Sequence, residues 1–193
     1  MASTRRSPGH EMILGGQRSG KSRCAESRAA GWLAQPGHEA LLLATALAGD
    51  DEMRSRIVRH RRDRAERVPA LGVIEVPRQL ARTVHEHSAP HRLLIVDCLT
   101  LWLANLLMPL QGGALDDSVW SARRAALCDA LYEAPGPVLL VSNEIGLGIA
   151  PLTPEARRYV DELGRLHQDL AALCTNVTLM VASIELPVKR AAP

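Results

Sequence analysis

Three short runs in this chain, Ala40–Ala46 (ALLLATA), Leu93–Val96 (LLIV) and Val138–Val141 (VLLV), carry apolar residues at nearly every position. None alternates apolar with polar, and none shows the three-to-four spacing of an amphipathic helix. A run of this length is a strand buried on both faces, which occurs in parallel sheets covered by helices on either side. Met12–Leu14, Val73–Val76 and Val177–Ala182 read as further strands. Helical patterns lie between them at Lys21–Ala34, Asp50–Arg67, Pro77–Ser88, Leu99–Met108, Ser118–Tyr132 and Glu155–Cys174. Strands alternating with helices predict βαβ units and an α/β fold with a mainly parallel central sheet. In such sheets ligands bind beyond the carboxyl ends of the strands, so the residues after each strand carry the functional argument.

The first strand runs straight into Gly15-Gly16-Gln17-Arg18-Ser19-Gly20-Lys21-Ser22. This is G-x-x-x-x-G-K-S, the phosphate-binding P-loop. Its glycines let backbone N–H groups turn inward, and with the following helix N-terminus they form an anion cradle. Lys21 reaches the outer phosphates, and the Ser22 hydroxyl suits Mg²⁺. The fold expected is therefore a P-loop NTPase-like, RecA-like three-layer sandwich. Such a loop needs an acid at the end of a neighbouring buried strand to hold the metal, directly or through water. Asp97, after Leu93–Val96, stands there, and it also suits the cap of the next helix. Asp50, Asp51 and Glu52 follow the second strand. They suit either approach to a nucleotide or a solvated helix start.

Composition narrows the function classes. The 193 residues are 47% hydrophobic and 23% charged, with a net charge of +2, which excludes disorder and a nucleic-acid coat protein. Aromatics are 3% and Phe is absent, so the core must be aliphatic. Only Lys21 and Lys189 are lysines among 23 basic residues. Cys24, Cys98, Cys128 and Cys174 are scattered, with no CxxC spacing, as expected of reduced thiols in a cytoplasmic protein. No run reaches the length of a membrane span. Met1–His10 is polar and basic and reads as a frayed tail, with residues 11–190 forming one nucleotide-binding catalytic domain.

The basic residues are not evenly spread. Arg54, Arg56, Arg59, Arg61, Arg62, Arg64 and Arg67 crowd one segment around His60. Like charges at this density repel and favour an anionic partner. Scarce aromatics argue against a base-stacking nucleic-acid platform, and beside a P-loop the economical partner is a triphosphate. A neutral imidazole there can attack phosphorus. From the residues alone, a P-loop small-molecule kinase without a covalent step stays open, as does a nucleotide-binding module without turnover.

Five segments in order extend the argument: GGQRSGKS (15–22), DDEM…RIVRHR (50–61), DCLTLWLANLL (97–107), NEIGLGIAP (143–151) and RRYVDELGRLHQDLA (157–171). Together they resemble the bifunctional adenosylcobinamide kinase / adenosylcobinamide-phosphate guanylyltransferase of cobalamin biosynthesis, over residues 11–190. The resemblance implies two reactions. ATP or GTP phosphorylates the hydroxyl of the corrinoid's aminopropanol arm. GTP then guanylylates an enzyme histidine, which passes GMP to the corrinoid phosphate to give adenosylcobinamide-GDP. The guanylylated histidine aligns with His60. Nucleotide contacts align with Gly15, Gly16, Gln17, Arg18, Ser19, Gly20, Lys21 and Ser22, with Ala44, Thr45 and Ala46, and with Arg61, Arg64, Glu75 and Asp97. The resemblance also implies GTP, ATP and Mg as cofactors and ligands, a corrinoid substrate, no nucleic-acid partner, and a homo-oligomer, trimeric among relatives. The chain departs from the family pattern at three places. Arg59 stands where some relatives have a second histidine, His167 replaces an asparagine, and Glu185 replaces a small residue. The Asn143–Pro151 loop lies at the ligand-binding edge and is read as shaping the active site, with no step assigned to Asn143 or Glu144.

Overall fold

In the computed structural model, which describes residues 9–190, the three apolar runs are adjacent strands of one seven-stranded sheet. The strands are β1 Glu11–Gly15, β2 Glu39–Ala44, β3 Gly72–Glu75, β4 Arg92–Asp97, β5 Val138–Val141, β6 Asn176–Val181 and β7 Ile184–Lys189. They lie in the order β3-β2-β4-β5-β1-β6-β7, all parallel except β7. The helices are α1 Lys21–Leu33, α2 Asp51–Arg67, α3 Leu80–His87, α4 Leu99–Leu107, α5 Asp117–Glu133 and α6 Pro154–Leu173.

Successive strand residues feed two separate cores, because side chains alternate across a sheet. Met12, Leu43, Leu94, Val96, Val138 and Leu140 pack under α3 to α6, with Trp102 and Trp120 tilted against each other at 5.6 Å. Ile13, Leu42, Leu93, Ile95, Leu139 and Val141 pack on the other face with Cys24, Ala25 and Ala29 of α1. Fully apolar runs are thus needed in the central strands. All four cysteines are free thiols, and Cys24, Cys98 and Cys174 are buried.

Helix starts follow local chemistry. Asp50 accepts from Met53 N at 2.7 Å, Asp116 from Val119 N at 2.8 Å, and Thr153 from Ala156 N at 3.2 Å. Along α2, Asp51 and Glu52 occupy the first turn and Arg64 and Arg67 the last, matching the helix dipole.

Four boundaries differ from the sequence reading. β2 stops at Ala44, because Thr45 turns aside to bond the end of β4. α3 begins at Leu80 instead of Pro77, since Pro77 O accepts from Asn105 Nδ2 and Arg78 O from Trp102 Nε1. The chain does not end on the sixth strand. Ala182 and Ser183 turn with φ of 50° and 67°, and β7 returns antiparallel. Two positive-φ residues suit a tight hairpin, but Ala-Ser is not the Asn-Gly pair that announces one. Finally, the expected tail of residues 1–10 is too long. Residues 1–8 lie outside the described residues, but His10 is 2% exposed. Its Nδ1 accepts from Val138 N at 3.0 Å, and its Nε2 bonds Leu131 O at 2.9 Å.

Candidate active site

The P-loop, Gly15 to Ser22, joins β1 to α1 at the carboxyl edge of the sheet. Its turn depends on glycine at two positions. A Cβ on Gly15 (φ 152°) would lie 2.5 Å from Met180 O, and one on Gly20 (φ 101°) would lie 2.9 Å from Ser183 Oγ. Ser183 N donates to Ser19 O at 2.9 Å, so the unanticipated β6–β7 turn supports the loop from beneath. Gly20 is the N-cap of α1 and leaves the helix N–H groups for a ligand.

Lys21 is 8% exposed. Its Nζ donates to Gly15 O at 2.9 Å, Gly16 O at 2.7 Å and Asn143 Oδ1 at 2.7 Å. Burial lowers its pKa; the Cys98 and Asp97 groups oppose that shift and Arg56 adds to it. Asp97 ends β4, two strands from β1. Burial raises its carboxyl pKa, while Arg64, His60 and Lys21 pull it down. Ser22 and Asp97 line a cavity of about 10 Å³ together with Ala25, Glu26, Leu42 and Ile95. That is the size of one water or cation, and a hydroxyl with a carboxylate is a donor set that suits Mg²⁺.

Helix α2 presents one face to this edge. Arg56, His60 and Arg64 recur every four residues and so share that face. Arg56 acts electrostatically on Lys21, and His60 and Arg64 act on Asp97. Three buried side-chain polar atoms among the described residues lack a partner, and two of them, Ser19 Oγ and Arg64 Nη1, belong to this site. A buried guanidinium N–H without an acceptor is costly, and an anionic ligand would satisfy it.

The remaining expected contacts divide. Arg61 and Glu75 form an ion pair with each other across α2 and β3, both well exposed. Thr45 is fully buried, and its hydroxyl donates to Cys98 O at 2.7 Å and accepts from Cys98 N at 2.8 Å. Its side chain is thus a clasp between β2 and β4. Ala44 and Ala46 flank it on the same edge, with Ala46 exposed. Gly16, Gln17 and Arg18 form the exposed crest of the P-loop, Arg18 with φ 57°. Glu185 pairs with Arg28 at 2.5 Å and accepts from Cys24 Sγ at 3.3 Å, so its place is a tie between β7 and α1.

Two contributors escaped the sequence reading. Glu26, buried in α1, holds Arg67 of α2, and no motif announces it. Asn143 bonds Lys21; its position just past a buried strand was the available signal.

This sheet order, loop and acid define a P-loop nucleotide-binding protein. Solved structures share the fold. They include the flagellar accessory protein FlaH of Methanocaldococcus jannaschii (TM-score 0.52, 13% identity, 96% of this chain and 80% of that one). A second solved structure, an isolated ATPase domain, is similar (TM-score 0.51, 13% identity, 90% of this chain and 69% of that one). The expected RecA-like sandwich is therefore the fold found. A sequence profile described as cobinamide kinase / cobinamide phosphate guanyltransferase matches residues 11–188, and the chain belongs to that family. It is 47% identical over 179 residues to a bifunctional adenosylcobalamin biosynthesis protein of Pseudomonas aeruginosa, covering 93% of this chain and 96% of the relative. Proteins of the same description from Escherichia coli and Salmonella typhimurium are 34% and 36% identical, each over 92% of this chain and 98% of the relative. No helix among the described residues is long and apolar enough to cross a membrane.

Proposed function

We propose that this member of the family phosphorylates adenosylcobinamide with ATP or GTP and then guanylylates the product through His60. The observation that carries the reading is the shared face of Arg56, His60 and Arg64, whose charges act on Lys21 and Asp97.

In the first reaction, the P-loop N–H groups and Lys21 bind the triphosphate, and the corrinoid hydroxyl oxygen attacks the terminal phosphorus. The nucleoside diphosphate leaves, and the hydroxyl proton is lost. In the second, an unprotonated ring nitrogen of His60 attacks the α-phosphorus of GTP. A P–N bond forms, the P–O bond to the β-phosphate breaks, and pyrophosphate leaves. The corrinoid phosphate oxygen then attacks the same phosphorus, the P–N bond breaks, and adenosylcobinamide-GDP is released. Arg56 and Arg64 offset charge on the α-phosphate and on the departing pyrophosphate. Ser22 and Asp97 would hold Mg²⁺, which supplies charge neutralisation to the phosphates when bound. Arg61 and Glu75 would have to part for either to contact nucleotide. The same reading implies a cytoplasmic homo-oligomer, trimeric as among relatives, with no nucleic-acid partner. Exposed Ile184, Leu186 and Val188 on β7 agree with a face covered by another copy.

Incubation with GTP labelled with ³²P at the α-phosphate tests the central step. Label is expected on the protein, labile to acid and stable to base, and absent in His60→Ala. His60→Ala is expected to keep corrinoid kinase turnover, and Lys21→Ala to lose it. Label that survives His60→Ala would refute the assignment.

A further inference from the structure

An ammonium group has three N–H donors and no acceptor. Those of Lys21 are all engaged, by Gly15 O, Gly16 O and Asn143 Oδ1. A phosphate oxygen that accepts from Lys21 must therefore replace one of them. The two carbonyls belong to the loop that carries Lys21, and Gly15 O also accepts from Glu144 N at 3.1 Å. Asn143 Oδ1 is the one acceptor on a side chain, and its terminal torsion is broad and easily turned.

The backbone of Asn143, by contrast, is tied down. Its N–H donates to Thr100 Oγ1 at 2.8 Å. Thr100 Oγ1 lies 3.1 Å from Ser142 Oγ, and Ser142 Oγ lies 2.8 Å from His167 Nε2. Ser142 is fully buried, and Thr100 and His167 are under a tenth exposed. Tyr159 Oη donates to Thr100 O at 2.7 Å, and Glu144 Oε2 faces His167 Nδ1 at 3.8 Å. Burial lowers the His167 pKa, against a smaller opposing pull from Glu144, so the ring is neutral at neutral pH. The relay thus ends on α6 and starts beside the P-loop. Topology adds the location: β5 lies between β1, which leads into the P-loop, and β4, which ends in Asp97, and Asn143 is two residues past β5.

We propose that Asn143 reads the terminal phosphate of the bound triphosphate, held in place by His167 through Ser142 and Thr100. Its Oδ1 gives up Lys21 to a phosphate oxygen, and its side-chain NH₂ turns to donate to that phosphate. Asn143 is then the residue that distinguishes a triphosphate from a diphosphate, and His167 is its positioning residue. The inference rests on the P-loop reading of the site and not on the corrinoid reaction.

Calorimetric titration with magnesium and either GDP or a GTP analogue with an imido-linked terminal phosphate, without corrinoid, tests it. The readout is the ratio of the two affinities. Asn143→Ala is expected to cut the preference for the triphosphate by about 5–10-fold, one hydrogen bond to a charged group, with GDP affinity within about 2-fold. Asn143→Asp, whose carboxylate pairs with Lys21 and repels phosphate, should cut it about 30-fold or more. His167→Leu should lower the ratio about 3-fold and His167→Asn should restore it, because an amide can still bond Ser142. The Asn143→Ala, His167→Leu double variant should lose no more than Asn143→Ala alone, since both act through one group. A ratio unchanged or raised in both Asn143 variants overturns the proposal. So does a His167→Leu loss that adds in full to that of Asn143→Ala. A protein with no corrinoid turnover that still shows these ratios would sink the proposed reaction and leave this inference standing.

Discussion

Arg67 Nη1 donates to Glu26 Oε2 at 2.8 Å and so joins the last turn of α2 to the middle of α1. Glu26 is 5% exposed, and Asp63 adds a longer contact to Arg67 at 3.8 Å. The bond holds the helix that carries His60 to the helix that begins at Lys21. Little apolar packing assists it, since Val58 is 66% exposed and Arg64 is the only fully buried residue of α2. Charge, more than hydrophobic burial, fixes where His60 stands.

Removing that cation leaves a buried carboxylate without its partner. Arg67→Ala is expected to lower the unfolding free energy by about 1–3 kcal/mol, read by urea denaturation. It should also reduce the rate of His60 labelling more than it reduces kinase turnover. An equal loss in both activities would count against a specific role for this tie.

The Thr45 clasp predicts a structural effect, not a contact effect. Thr45→Val keeps the shape and removes both bonds to Cys98. A stability loss of about 1–3 kcal/mol is expected, because the Cys98 N–H is left buried without an acceptor. Thr45→Ser, which keeps the hydroxyl, should recover most of it. Nucleotide affinity lowered alike in both variants, with stability intact, would instead mark Thr45 as a direct contact.

The P-loop glycines make a graded prediction. Gly20→Ala meets a side-chain oxygen that can turn away, at a φ of 101°. A cost of roughly 1–3 kcal/mol is expected, with weakened nucleotide binding. Gly15→Ala meets the carbonyl of Met180 at 2.5 Å, which cannot turn away, and should be worse. Thermal denaturation of the pair checks the order; a milder Gly15→Ala would contradict the packing.

His10 gives the molecule a pH dependence. Burial lowers its pKa, against the bond to Leu131 O, and its Nδ1 already accepts from Val138 N. A proton on Nδ1 would face an N–H. The unfolded chain takes up that proton below about pH 6.5 and the folded chain resists it, so stability rises with pH in that window. The contribution is present in full above the unfolded value and is lost as the pH falls; His167 acts in the same direction. The urea midpoint should therefore drop between about pH 7.5 and about pH 5.5. His10→Gln should lower the midpoint at the higher pH and flatten the slope. A slope unchanged in that variant would remove His10 from the account.

Much of this was readable along the chain. The P-loop is a local device, so GGQRSGKS announces its own turn and helix. The runs at Leu93–Val96 and Val138–Val141 could bury both faces only in the middle of a covered sheet, and they lie there. The β6–β7 hairpin was not readable, because Ala182-Ser183 accepts positive φ without a residue type that signals it. The buried place of His10 was hidden too, since its partners Leu131, Val138 and Thr175 are more than a hundred positions away.

The sequence by itself therefore determined the fold class, the phosphate loop and the acid two strands away, because burial patterns and short motifs are properties of neighbouring residues. The tertiary structure decided which groups meet. It turned Arg56, His60 and Arg64 toward Lys21 and Asp97, paired Arg61 with Glu75, committed Thr45 to a clasp, and set Asn143 on Lys21. These are distances between residues far apart in the chain, and only packing of the sheet and its helices can set them.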